Sequence, residues 1–164
     1  MRPVRTAILC LFLIYSAGYA QSAGIKNYKN IVLKDFDDVR YELKSFVDTS
    51  QITILSFWAS WCEPCRKELV ELNRISRELH AQGVSVVTVN IDANKDIIKA
   101  QRFLMSHSIT INVLHDERSD ARTKYGVTSI PRLFLIDRKG IVRADHHGFK
   151  DIAEIETEIR KYLR

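Results

Sequence analysis

The order of apolar and polar positions divides this chain into short segments of the kind that build a sheet covered by helices. Residues 52–58 are almost continuously apolar, and so are residues 84–91, which indicates two central strands buried on both faces. Between them, apolar side chains recur at helical spacing over 63–80, and Gly83 follows as a helix terminator. The centre of the chain is therefore predicted to fold as strand, helix and strand.

Shorter segments flank this centre and are predicted from their turn residues and helix caps. They are strands over 31–33 and 39–43 around a turn at 35–38, a helix over 95–107 with Asn94 as its N-cap, a strand over 111–114, a short helix ending near Tyr125, and strands over 133–137 and 141–144. A final helix begins after Asp151, with Glu154 placed to complete a capping box. The whole pattern predicts an α/β fold, a three-layer α/β/α sandwich around a mixed central sheet with an N-terminal β-hairpin.

The first twenty residues have the composition of an export signal. Arg2 and Arg5 precede a mostly apolar, uncharged run over 6–20 that ends in small residues at Gly18 and Ala20. The alternative is an uncleaved membrane anchor facing the periplasm, for which the run is short because about 20 apolar residues are needed to span a bilayer. We therefore expect an exported, periplasmic protein with a signal peptide over 1–20, a flexible lead-in over 21–30 and a single domain over 31–164.

Composition and charge exclude some classes of partner. The 164 residues suffice for one domain with its own core. The net charge is +5, and removal of Arg2 and Arg5 with the leader reduces it to about +3. Lysines and arginines are interleaved with acids, for example between Glu63 and Glu71, which indicates a solvated surface and not a nucleic-acid-binding stripe. We expect no nucleic-acid partner, and no stable membrane insertion after signal cleavage.

Two cysteines carry the candidate chemistry. Cleavage of the leader removes Cys10, so the mature chain keeps only Cys62 and Cys65. A single close pair does not make a disulfide-stapled scaffold, which needs more cysteines at longer spacing. The pair stands at the start of the helix predicted over 63–80, where unpaired N–H groups and the helix dipole favour a thiolate on Cys62. Cys65 lies one turn further on, so the two can cycle between dithiol and disulfide.

A close pair of cysteines also occurs in other kinds of protein. A thiol peroxidase needs a Thr three residues before its reactive cysteine, where this chain has Ala59. A metal site would combine Cys62 and Cys65 with His146 and His147, but the two cysteines are only half of a zinc site and no second such motif follows. A non-catalytic binding or holdase module is a further alternative. We expect no metal and no cofactor.

Four segments in order resemble the exported TlpA/ResA-type thiol–disulfide oxidoreductases, which have the thioredoxin fold. The resemblance covers about residues 31–163 and rests on residues 57–68, which contain Trp-Cys-Glu-Pro-Cys, and on 87–92, 125–131 and 134–140. Residues 95–114 resemble the extra helix and strand that distinguish this branch from plain thioredoxins, and so add a central helix–strand insertion to the predicted fold.

The resemblance implies a disulfide reductase for periplasmic client proteins, with apocytochrome c as one candidate client and an inner-membrane thiol protein as the electron donor. A thiol oxidase or isomerase on the same fold is the alternative. Cys62 would attack the client disulfide and Cys65 would resolve the mixed disulfide. The Ile130–Pro131 bond would be cis, with Pro131 facing the cysteines and Ile130 pairing with the client backbone. The other client-binding residues would be Trp61, Glu63 and Pro64, and the charge of Glu63 should disfavour a strongly oxidising pair.

The chain also departs from the family pattern in its charged residues. Ser56 stands where thioredoxins have a buried Asp. Glu68 matches an acidic residue of the ResA-type proteins, and is either a proton shuttle or a solvated carboxylate that the helix dipole stabilises. Val70 replaces a proline that often kinks the helix. Arg132 follows Pro131 where Thr, or Glu in the cytochrome-maturation branch, is usual, which argues against a cytochrome client.

Overall fold

The computed structural model describes residues 26–163, so the predicted signal peptide and the first half of the predicted lead-in lie outside the described residues. Across residues 26–163, no helix has the length and apolar character needed to cross a bilayer.

A mixed sheet of seven strands forms the middle layer, in the order β2-β1-β5-β4-β3-β6-β7. The strands are β1 Val32–Asp35, β2 Arg40–Glu42, β3 Ile52–Trp58, β4 Val84–Asn90, β5 Asn112–His115, β6 Arg132–Asp137 and β7 Val142–His147. Strand β3 is parallel to β4 and antiparallel to β6, and all seven of its residues are buried. The continuous apolar run therefore became a central strand, as the sequence predicts.

Helices cover both faces of this sheet. They are α1 Leu43–Thr49, α2 Glu63–Ala81, α3 Ile97–Ser106, α4 Asp120–Lys124 and α5 Ile152–Tyr162. Because neighbouring residues of a strand face opposite sides, Phe57 packs in the cluster with α1 and α4, whereas Trp58 packs in the cluster with α2 and α3. Ile54 joins the third cluster, which contains α5. The three-layer α/β/α sandwich of the thioredoxin fold is confirmed.

Two local predictions were wrong. The strand predicted over 39–43 ends at Glu42, and Leu43–Thr49 forms α1, because Leu43 and Val47 are four residues apart and are buried together on one face. Asn94 does not cap a long helix. It opens a short 3-10 turn before α3, and its amide donates instead to Glu117 Oε1 at 2.9 Å.

The start of α5 follows the prediction only in part. Asp151 caps the helix by accepting the Ala153 N–H at 2.9 Å. Glu154 does not complete a capping box, because its carboxylate pairs with Lys150, four residues before it, at 2.8 Å.

Residues 26–30 lie against the hairpin of β6 and β7. The Tyr28 N–H donates to Gly140 O at 2.9 Å, and the Val142 N–H donates to Lys26 O at 3.0 Å. The Tyr28 ring covers Gly140, whose φ is +76°, and a Cβ at this glycine would lie 2.6 Å from the ring. This part of the predicted lead-in is therefore packed on the domain.

Candidate active site

Cys62 and Cys65 lie at the start of α2 and are joined by a disulfide. Cys62 is the N-cap residue, and its Sγ accepts the Cys65 N–H at 3.3 Å. Pro64 occupies the first turn, where the missing N–H of proline costs no helix hydrogen bond. Cys62 is 6 % exposed and Cys65 is 1 % exposed. Cys62 is therefore the more accessible cysteine, and it lies at the end of the helix where the dipole favours negative charge.

Asp92 fixes the loop that leads into Cys62. Its carboxylate accepts the Ser60 N–H at 2.7 Å, the Ser60 hydroxyl at 3.0 Å and the Asn90 amide at 2.7 Å. Strands β3 and β4 are parallel and in register at Trp58 and Asn90, so the loops that follow them lie side by side. Asp92 ends the segment 87–92 that carries the family resemblance, but the sequence analysis did not predict it as a site residue. The signal that identifies it is an acid directly after a buried strand parallel to the one that carries the cysteines.

The segment before β6 faces the cysteine pair. The Ile130–Pro131 peptide bond is cis, as the resemblance implies. Ile130 packs against the apolar cluster that contains both cysteines. Trp61 is 67 % exposed and, together with Ile130, lines a surface groove of about 260 Å³. An aromatic side chain and the proline segment thus form adjoining walls beside Cys62.

Glu68 is a buried carboxyl group close to the cysteines. It is 2 % exposed, and the Ser56 hydroxyl donates to its Oε1 at 2.8 Å. Burial raises the pKa of Glu68 from an ordinary value of 4.5 to about 7, while the hydrogen bond from Ser56 acts to lower it. Glu68 is one turn after Cys65, and both are buried on the same side of α2. The interpretation of Glu68 as a solvated carboxylate was therefore wrong.

Glu63 has a different environment from Glu68, although both belong to the first turns of α2. Its side chain faces solvent and pairs with Lys67 at 3.3 Å. Water and this partner weaken the effect of its charge on Cys62. Pro64, beside it, is also exposed. Both residues are therefore accessible at the surface around the cysteine pair.

Arg132 is buried and its charge is compensated within the sheet. Its Nη2 donates to Asp145 Oδ2 at 2.8 Å, and its Nη1 donates to Nδ1 of His147. Its guanidinium also lies 5.2 Å from the centre of the Phe134 ring. The positive charge of Arg132, which follows Pro131, is therefore paired with Asp145 of β7. This pairing reduces the electrostatic effect of Arg132 on a client.

Two of the alternatives raised by the sequence, a thiol peroxidase and a metal site, concern residues whose positions the structure gives. Ala59 is fully buried and supplies no hydroxyl before Cys62. His146 pairs with Glu158 of α5 at 2.6 Å, whereas His147 faces the opposite side of the sheet with Arg132. Among residues 26–163, no group of three or more His, Cys, Asp or Glu side chains is arranged to hold a metal ion.

Comparison with known proteins agrees with this arrangement. Residues 26–145 match the model of the AhpC/TSA family. The chain belongs to this family. The thiol-disulfide oxidoreductase ResA of Bacillus subtilis (strain 168) is 31 % identical over 148 residues, which cover 85 % of this chain and 80 % of the relative. ResA of Bacillus thuringiensis subsp. konkukian (strain 97-27) is 29 % identical over 136 residues, covering 83 % of this chain and 76 % of the relative.

A solved structure is also similar to this chain in its fold. The crystal structure of a candidate thiol:disulfide interchange protein DsbE from Chlorobium tepidum has a TM-score of 0.75 and 31 % sequence identity, and the match covers 87 % of this chain and 100 % of that chain. This AhpC/TSA-family protein is a thiol-disulfide oxidoreductase of the ResA/DsbE type, and the prediction of that activity is confirmed.

Proposed function

We propose that this enzyme is an exported reductase of disulfides in periplasmic client proteins, with apocytochrome c as one candidate client. Its own disulfide is then reduced by a thiol protein of the inner membrane. The predicted export signal over 1–20 and the likeness to ResA and DsbE support this proposal.

The reaction transfers two electrons to the client. The Cys62 thiolate attacks one sulfur of the client disulfide, forms a mixed disulfide and releases the other client sulfur as a thiolate, which takes a proton from water. Once deprotonated, Cys65 attacks Cys62 Sγ, which releases the second client sulfur as a thiolate that is likewise protonated by water and leaves the Cys62–Cys65 disulfide. Trp61, Pro64 and Ile130 provide the surface for the client, and Pro131 presents a wall without an N–H donor beside the sulfurs.

The observation that carries this proposal is the buried carboxyl group of Glu68. Cys65 must lose its proton before it can attack, and a neighbouring base is most efficient when its pKa lies near the working pH. Burial gives Glu68 a pKa of about 7, and Glu68 is one turn from Cys65 on the same side of α2. Glu68 therefore accepts the Cys65 proton during oxidation and returns it when the donor reduces the pair.

The same carboxyl group favours the reducing direction. A strongly oxidising pair stabilises its reduced form through a very acidic thiolate. Negative charge on Glu68, and more weakly on solvent-exposed Glu63, disfavours a thiolate nearby. The reduced pair is therefore less stabilised than in a strong oxidant, and it gives up its electrons more readily.

The reduction potential tests this direction. It is measured by equilibrium with glutathione or thioredoxin redox buffers, with the Cys62–Cys65 state read by alkylation. Thioredoxin has a potential of about −270 mV, and the strongest periplasmic oxidant has one of about −120 mV. We expect the potential of this protein to be closer to that of thioredoxin. A potential near −120 mV overturns the assignment as a reductase.

Trapping in an exporting cell tests the reaction with clients. In the Cys65→Ala variant, Cys62 can attack but its mixed disulfide is not resolved, so a disulfide-linked adduct should accumulate and mass spectrometry should identify the client. The Cys62→Ala variant keeps only the buried thiol and should trap far less. If Cys65→Ala forms no adduct, the client-reductase model is wrong.

A further inference from the structure

The groove between Trp61 and Ile130 has a lining that bears on the choice of client. Its volume of about 260 Å³ is smaller than the roughly 300–1,000 Å³ of pockets that enclose a whole small molecule. It therefore suits one or two side chains of a peptide. Its apolar walls are Trp61, Ile91, Val127 and Ile130, and Arg122 of α4 also lines it.

Arg122 is the single charged residue in the lining of this groove. Its Nε donates to Val127 O at 3.1 Å, and its backbone N–H donates to Asp116 Oδ2 at 2.7 Å. These hydrogen bonds hold both the side chain and the backbone of Arg122 in place. Within residues 26–163, none of the ion pairs involves Arg122, although Arg132 has its acid partner in Asp145. The terminal nitrogens of Arg122 are therefore available for a carboxylate from outside.

We propose that Arg122 selects client segments that carry an apolar residue beside the reactive cysteine and an Asp or Glu a few residues further along. The inference rests on the proposed function, in which a client disulfide meets Cys62 beside this groove. The apolar side chain occupies the space between Trp61 and Ile130, and the acid pairs with the planar guanidinium in the fork geometry that arginine favours.

The charges around Cys62 also give the client a direction. Glu63 follows Cys62 and lines a different groove, in which the charges of Glu63 and Glu71 are balanced by those of Arg66 and Lys67. An acidic client residue is therefore attracted on the Arg122 side and meets no net charge on the Glu63 side. One orientation of an extended acidic segment across Cys62 is therefore favoured over its reverse.

Paired peptides test this inference. Two synthetic peptides contain the same internal disulfide and the same Leu beside one cysteine, and differ only in a Glu or a Lys three residues further on. The reduced protein is mixed with each peptide, and the second-order rate constant is followed by the fluorescence change on oxidation. The wild type should reduce the Glu peptide about 2- to 5-fold faster, the effect expected of one exposed ion pair, and added salt should diminish the difference.

Variants of α4 assign the preference to Arg122. Arg122→Gln should bring the ratio of the two rates close to one, and Arg122→Glu should invert it. Any general loss of reactivity cancels in this ratio. Lys124→Glu is the matched control, because Lys124 is exposed on the same helix but does not line the groove, and it should retain the wild-type preference.

The outcomes separate this inference from the proposed function. Equal rates for both peptides in the wild type, or the same change in ratio for Lys124→Glu and Arg122→Glu, overturn the role of Arg122 while disulfide reduction itself stands. If the reduced wild type reacts with neither peptide and also leaves the disulfides of insulin intact, the proposed function fails, and this inference fails with it.

Discussion

Replacement of Glu68 by Gln is expected to change how the stability of the protein depends on pH. The pKa of Glu68 is 4.5 in an ordinary environment and about 7 in the fold, because burial disfavours the charged carboxylate. The difference between these values is about 2.5, and at about 1.36 kcal/mol per pKa unit it corresponds to about 3 kcal/mol.

The sign of this contribution follows from the raised pKa. Below pH 4.5 the carboxyl group is protonated in the folded and the unfolded chain, and its burial carries no charge penalty. Between pH 4.5 and about 7 the unfolded chain releases this proton first, so it binds fewer protons than the folded chain and stability falls as pH rises. Above about pH 7 the whole cost of about 3 kcal/mol is present. The Glu68→Gln variant has no proton to release and should not show this decrease.

Urea denaturation of the disulfide-bonded protein at a series of pH values measures the effect. From about pH 4.5 to pH 8, the unfolding free energy of the wild type should fall by about 3 kcal/mol more than that of Glu68→Gln. Glu78→Gln, an exposed substitution on the same helix, is the control and should follow the wild-type profile. Parallel profiles for the wild type and Glu68→Gln would refute the reasoning, because they would mean that Glu68 titrates alike in both states.

Three further substitutions test the contacts around the site, each by urea denaturation. Asp92→Ala leaves the buried amide of Asn90 and the half-buried N–H of Ser60 without their acceptor and should cost about 1–3 kcal/mol; an unchanged midpoint would contradict the anchoring role. Asp145→Ala leaves the charge of Arg132 buried without its acid and should cost about 3–5 kcal/mol, whereas a loss below about 1 kcal/mol would mean that the pair is solvated. Gly140→Ala places a side chain at a φ of +76° and against an aromatic ring, and should cost at least about 1–2 kcal/mol, so a neutral result would show that residues 26–30 do not pack there.

The buried acid of this site comes from a helix and not from the central strand. Ser56 in β3 offers a hydroxyl at the position where thioredoxins have an Asp, and Glu68 of α2 reaches it at 2.8 Å. A carboxyl group on α2 has a fixed position relative to the cysteines, because Cys65 belongs to the same helix and Cys62 caps it. Its distance from Cys65 is therefore maintained by helix geometry.

The sequence alone determined the elements whose signals are local. The apolar run predicted β3 at 52–58, the helical spacing predicted α2, and the order of these elements placed the cysteine pair at the start of that helix. Helix α1 was missed because two buried residues four apart, Leu43 and Val47, are a weak signal beside a strand pattern.

The tertiary structure alone decided the state of the charged groups. The sequence fits Glu68 equally well as a solvated or a buried residue, and the fold decides for burial by placing Ser56 of β3 against its carboxyl group. Arg132 finds its acid 13 residues away in β7, and Asp92 finds Ser60 across 32 residues. The energy of a charge depends on burial and on neighbours brought together by the fold, which no local pattern encodes. The sequence therefore located the cysteine pair, and the fold determined which acids and which cations can act on it.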